Sequence, residues 1–396
     1  MVPVLVALSL FVQPTQSPDP TLMALTPVLD GSLSNEEWQP FGKDTYLQWE
    51  PGVVYFAAVV SDGDDLVIDL DPDGDGWLNG VDNTELRISS GSKVAARTLD
   101  TTPRSGPVWK SKSASNVSVF TTAQDGRWIV EGRITLDSSK TIKEGSVIGI
   151  DMETMPSGAS TGPAFLPRSL AYRTLGFDSA ENLPDGMEWH SSTKLREVAK
   201  EDQLRMDFDI SGKSDFTSYK LHAEGWAQNM MASVAKPFPG FDRNGHASLQ
   251  YRSDIASGAT AGWRILNASI LDADGKEHVL RTSFKIADLI ELEVSLPDRI
   301  KFSADGQTLK GRVDVRSMGV GRVEGEYAIL APQTWQVVKG GPQRILIFNP
   351  RSREPINLEF TLPPGATGDY PITFTVNVGN MAFTKTVVVN VSPPGS

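Results

Sequence analysis

The densest run of metal-ligating side chains in this sequence is Asp71-Pro72-Asp73-Gly74-Asp75-Gly76-Trp77-Leu78-Asn79-Gly80-Val81-Asp82. Set out as a twelve-residue calcium loop, it places Asp71, Asp73 and Asp75 at alternate early positions. Gly76 falls at the sharp turn, Asn79 at the ninth position and Asp82 at the last. Calcium is a hard cation that gathers about six to eight oxygens, so carboxylates on alternate residues of one tight loop converge on it, and the main-chain carbonyl of Trp77 adds a further ligand. The spacing therefore predicts a structural calcium ion that rigidifies a long loop. Asp and Gly also build ordinary solvated turns, and an ion-free loop is the competing reading.

Other chemical signatures are weak. Gly158-Ala159-Ser160-Thr161-Gly162 fits the bare G-x-S-x-G pattern, but Pro163 follows where a nucleophile elbow needs a helix. His190, His222, His246 and His278 lie far apart without metal-ligand spacing. The 49 acidic residues give no way to single out a glycosidase pair. No phosphate-cradling glycine loop or dinucleotide fingerprint occurs. The expectation is a protein without a catalytic site.

The elements that would position the loop read as strands. Val67–Leu70 before it and Thr84–Ile88 after it alternate in the strand manner, without the flanking helices of an EF-hand. Period-two alternation continues along most of the chain after Pro51, punctuated by 35 glycines and 26 prolines. No stretch keeps a helical apolar period for three turns, although Ser34 and Glu37 have capping-box spacing around one possible turn. Asp274-Gly275 marks a hairpin. The pattern predicts an all-β chain of three tandem β-sandwiches, over 24–199, 200–288 and 289–396.

Composition narrows the partners. The 396 residues carry a net charge of −12, which disfavours nucleic acid and anionic lipid and suits cations or neutral ligands. The chain has no cysteine, so disulfides, thiolate chemistry and a lipid anchor on an N-terminal Cys are excluded. Residues 1–17 join an apolar run, Val2–Val12, to a Pro/Ser/Gln break, which predicts a signal peptide and a secreted or cell-surface protein, although no Lys or Arg precedes the run. No later run is long enough to insert in a membrane as a helix.

Three segments in order carry a resemblance. Pro27-Val28-Leu29-Asp30-Gly31-Ser32-Leu33-Ser34-Asn35-Glu36-Glu37-Trp38 resembles the opening of family 9 carbohydrate-binding modules and their DOMON relatives. Val53-Val54-Tyr55-Phe56-Ala57-Ala58-Val59-Val60-Ser61-Asp62 and Asp82-Asn83-Thr84-Glu85-Leu86-Arg87-Ile88 resemble their later strands. The acidic loop itself is similar to dockerin calcium loops, in which Asp also stands at the last position. The resemblance covers about Ala24 to Trp189 and implies a sandwich that binds polysaccharide or glycan between aromatic side chains, often with calcium. Of the tryptophans there, Trp38 and Trp128 are expected in the core, while Trp77 and Trp109 stand in polar, loop-like contexts suited to a ligand platform. Segments such as Leu358–Ala366 and Gly368–Ile372 resemble the Ig-like domains appended to bacterial glycoside hydrolases and surface proteins. The leading expectation is thus a secreted, non-catalytic carbohydrate-binding protein. The alternatives are a structural scaffold with no sugar site, or a polysaccharide-active enzyme whose residues lie in the 156–200 loops or the middle domain.

Overall fold

The structure is a computed structural model that describes residues 21–34, 37–74, 83–100, 103, 108–136, 142–159, 170–192, 196–200, 202–223, 231–256, 258–301, 303–319, 321–341 and 343–393. Among the described residues there is no helix, and the chain is all-β, as the alternation predicts. It divides after Ser179 into two compact units. No helix among the described residues is long and apolar enough to cross a membrane.

The first unit contains β1 (Leu22–Met23), β2 (Gln39–Gly42), β3 (Thr45–Glu50), β4 (Val53–Ser61), β5 (Asp64–Asp71), β6 (Thr84–Ser89), β7 (Lys93–Asp100), β8 (Val108–Lys112), β9 (Val117–Gln124), β10 (Arg127–Thr135), β11 (Val147–Pro156) and β12 (Ala171–Gly176). One sheet has seven strands in the order β1-β12-β11-β5-β6-β7-β8; the other has five, β2-β3-β4-β10-β9. The centre of β4 runs apolar without alternation because both of its faces are buried. Beside it the Phe56 ring lies across Gly132 of β10, where a Cβ would fall within 2.8 Å of ring carbon Cε2. Trp38 and Trp128 are buried, as expected; so is Trp49, whose indole N–H donates to the Leu22 carbonyl at 2.6 Å.

The Asp-Gly of the opening signature has a structural cause. Gly31 stands at φ +84°, a conformation glycine adopts without steric cost, and its N–H donates to the buried carboxyl of Glu131 on β10. Ser34 and Glu37 make a single turn bond, from the Glu37 N–H to the Ser34 carbonyl, at 3.2 Å.

The second unit continues with β13 (Asp178–Glu181), β14 (Glu188–Ser192), β15 (Glu197–Ala199), β16 (Gln203–Ser211), β17 (Phe216–Ala223), β18 (Val234–Pro237), β19 (His246–Asp254), β20 (Gly262–Asp272) and β21 (Glu277–Ala287). A sheet ordered β13-β21-β20-β17-β18, with β15 paired to β21, shares a core with the sheet β14-β16-β19. Met206, Phe208 and Tyr251 from one sheet pack with Leu266, Leu280 and Phe284 from the other. The strands just before residue 200, which the sequence reading joined to the N-terminal domain, therefore pair here; Trp189 stacks on Phe208 at 5.9 Å. The Asp274-Gly275 turn does connect β20 to β21.

The chain then forms β22 (Ile290–Ser295), β23 (Arg299–Ile300), β24 (Gln307–Ser317), β25 (Val323–Leu330), β26 (Gln336–Lys339), β27 (Gln343–Phe348), β28 (Arg353–Leu362), β29 (Gly368–Val378) and β30 (Met381–Val391). Sheets β22-β24-β28-β26 and β23-β30-β29-β25-β27 close over a separate core that includes Val313, Phe360 and Phe374.

Candidate functional site

The acidic loop connects neighbouring antiparallel strands, since Leu70 of β5 is in register with Thr84 of β6. Asp71 is fully buried at its start. One of its oxygens accepts the Gly74 N–H at 2.9 Å, and Gly74 turns the chain at φ +67°. Asp73 is exposed. Asp75, Trp77, Asn79 and Asp82 lie outside the described residues, as does Ser160 of the G-x-S-x-G match. Among the described residues, no three His, Asp or Glu side chains are placed to hold a metal ion.

The loop begins at Asp71, on the outer face of the seven-stranded sheet. Alternation sends Leu66, Ile68 and Leu70 of β5 into the core and Asp65, Val67, Asp69 and Asp71 to the opposite face. Those outward residues are buried as well, so this face is covered rather than open to solvent. Part of the cover is the segment after β11: Ser157 donates to Asp65 at 2.7 Å, and Arg87 donates to the Ala159 carbonyl and pairs with Asp65 at 3.8 Å. Gly149 on β11 stands opposite Asp71, and a Cβ there would meet the Asp71 carboxylate at 3.2 Å. The Asp71 side chain thus lies over the bare glycine.

Strand register lines up a polar row across this face. Asp151 of β11 pairs with Asp69 of β5, Asp69 with Glu85 of β6, Glu85 with Arg97 of β7, and Arg97 with Ser111 of β8. Glu85 is buried and receives both Nε and Nη2 of Arg97 at 2.6 Å. Two charge-assisted contacts fix the guanidinium plane. That plane lies 4.1 Å from the centroid of the Trp109 ring. Trp109 is half-buried on β8, one register step from Arg97, opposite Leu99. It is therefore an edge-strand residue and not a loop residue; the Gly, Pro and Ser around Val108–Lys112 hide a strand that exists because β7 pairs with it. The partly exposed guanidinium and indole supply hydroxyl donors and an apolar flat surface, two of the groups a sugar ring needs, while the buried Glu85 carboxylate holds the guanidinium in place.

Glu85 sits in the segment that resembles the module family, but sequence reading gave it no role, and it missed Arg97 altogether. Their partnership is a matter of strand register, which spacing along the chain does not display.

The histidines serve elsewhere. His278 is buried on β21, with Nε2 3.0 Å from Asp272 Oδ2, Nδ1 2.5 Å from the Asn182 carbonyl, and its ring 5.4 Å from that of Phe216. Asp272 also accepts the N–H groups of Asp274 and Lys276, and these bonds, the one from His278 first, hold its carboxyl below the usual range. The pair ties the hairpin turn to the segment after β13.

No protein-family model matches the chain, and no curated protein matches it. Among solved structures, a family 9 carbohydrate-binding module from Caldicellulosiruptor kristjanssonii in complex with cellotriose is similar at 18% identity. The match covers 40% of this chain and 93% of that module, at a TM-score of 0.29. Salmonella alpha-2-macroglobulin is similar at 14% identity over 89% of this chain, with a TM-score of 0.26; this chain spans 31% of that protein. Red sea bream transglutaminase matches at 12% identity over 83% of this chain and 57% of its own length, with a TM-score of 0.32.

Proposed function

We propose that this chain is a non-catalytic carbohydrate-binding protein that works outside the cytoplasm, secreted or held at a surface. Its ligand site is the β7–β8 edge of the seven-stranded sheet, where Arg97 and Trp109 are partly exposed. The observation that carries the reading is the Glu85–Arg97–Trp109 array: a buried carboxylate fixes a guanidinium, and the guanidinium lies along a half-buried indole. Sugars bind where a ring face meets an aromatic plane while fixed polar groups take the hydroxyls. A net charge of −12 and the carboxylates along the same sheet favour neutral glycans over uronic or sulfated ones.

Calcium in the Asp71–Asp82 loop completes the proposal. The described start of the loop supports it: Asp71 Oδ1 caps the turn by accepting the Gly74 N–H, and Gly74 adopts a positive φ. Asp71, Asp73, Asp75, Asn79, Asp82 and the Trp77 carbonyl would hold the ion, which would fix the loop.

Affinity electrophoresis of the full chain through neutral and uronic polysaccharides tests the proposal. Retardation by a neutral glycan should be lost in Trp109→Ala at unchanged melting temperature. Equal retardation of wild type and Trp109→Ala would remove this site from the account.

A further inference from the structure

The C-terminal sandwich leaves two strand edges facing one groove, and the groove has the chemistry of a strand acceptor. The cleft, about 800 Å³, is bordered by β22 and by Met381–Lys385 of β30. Backbone bonding fixes which groups point into it. On β30, the N–H of Asn390 donates outward, away from β29, to Asp298 at 2.8 Å. In an antiparallel ladder alternate residues face the same side, so Ala382, Thr384, Thr386 and Val388 also present their N–H and C=O outward. The hydroxyl contacts Thr384–Thr375 and Thr386–Thr373 place these residues in the non-hydrogen-bonded positions against β29, in agreement. β23 covers only the last residues of this edge, Asn390 and Val391.

The same logic applies to β22. The Leu289 carbonyl accepts from Met318 beside β24 at 2.9 Å, so the backbone groups of Ile290, Leu292 and Val294 point away from β24. Among the described residues no strand pairs with either of these rows. The open row on β30 offers N–H and C=O groups at a two-residue repeat, which an extended polypeptide satisfies by joining the sheet edge.

Charge narrows its sequence. Lys285 and Arg316 share Glu291 at 2.7 and 3.5 Å, Lys200 pairs with Asp288 at 2.6 Å, and Glu293 pairs with Arg353 at 2.9 Å. Lys385 makes no ion pair among the described residues, and it stands between Phe383 and Val387 on one face of the strand. An uncompensated lysine on an open edge also opposes pairing with a second copy of itself. We propose that this groove takes up an extended segment of a partner protein as an added strand along β30. The segment would set a carboxylate opposite Lys385 and apolar side chains two residues to either side.

Seven residues, about 20 Å of strand, span Ala382 to Val388. The probe is the capped heptapeptide Thr-Val-Thr-Glu-Thr-Val-Thr, added to the full chain and read by amide hydrogen exchange. Binding should slow exchange at Ala382, Thr384 and Thr386. The same peptide with Lys at its centre should bind roughly fivefold more weakly, and Lys385→Glu should reverse that order. Thr384→Pro removes one outward N–H at an edge position where proline is tolerated, and should abolish binding. If that variant unfolds, the charge reversal at Lys385 decides alone. No protection at millimolar peptide, or equal binding of the two peptides, would overturn the proposal. So would protection of these amides that rises with protein concentration in the absence of peptide, because a second copy would then be the occupant.

Discussion

Glu131 offers a quantitative test of the first unit's construction. Its carboxyl is fully buried and accepts the Gly31 N–H. Burial, reinforced by the nearby charge of Asp30, holds it above the usual carboxylate range against the opposing pull of that bond. Because the folded value exceeds the unfolded one, the folded chain keeps more protons in the window between them. Stability from this group is therefore fully present below about pH 4.3, the unfolded glutamate value, and is lost as pH rises through the folded value. Within the window the slope approaches about 1.4 kcal/mol per pH unit. Glu131→Gln keeps an acceptor for Gly31 and removes the titration. The difference in stability between wild type and Glu131→Gln should thus move in favour of the variant with rising pH, then level off. Glu131→Ala should cost about 2–4 kcal/mol at acid pH, from an unpaired Gly31 N–H and the space left behind, and less as pH rises and the wild type loses the contribution of Glu131. Denaturant-dependent amide exchange at Ile129–Gly132, from about pH 4 to pH 8, reads both effects in the right unit. A flat difference between wild type and Glu131→Gln would refute the reasoning.

Three further outcomes follow from particular contacts. Gly132→Ala should cost about 1–3 kcal/mol in a melting experiment, because its Cβ would fall on the Phe56 ring, which is packed on all sides. Asp272 has a lowered folded value, so its contribution is present above about pH 3.9 and lost as pH falls through that lowered value; Asp272→Asn should remove this acid-side loss from melts of the second unit. If the acidic loop holds calcium, chelation should lower the melting point of the first unit. Restoring calcium at a hundredfold excess over Kd should return about 2.7 kcal/mol. Asp73→Ala and Asp75→Ala should be insensitive to the ion, while Asp62→Ala, outside the loop, should keep the response.

Much of the fold was legible because alternation is a local signal. Val67–Leu70 and Thr84–Ile88, which alternate in the sequence, fall inside β5 and β6. Strands with little apolar content escaped notice: Lys93–Asp100 and Val108–Lys112 hold a sheet edge by pairing, not by propensity. The site was legible only in part. Nothing in the spacing shows that Asp65, Asp69 and Asp71 are buried, and the segment that helps to cover Asp65 comes from 92 positions along the chain. Arg97 carries no local mark at all, since its meaning comes from Glu85 across one ladder and Trp109 across the next.

The most direct test of the central proposal is a calorimetric titration of the full chain, with calcium present, against a panel of soluble neutral oligosaccharides. Wild type should bind, and Arg97→Ala should bind at least about tenfold more weakly, because Glu85 and Trp109 lose the group that organises them. Arg97→Ala should keep the wild-type circular dichroism spectrum. Equal affinities for wild type and Arg97→Ala, or no heat from any neutral glycan with the fold intact, would contradict the account.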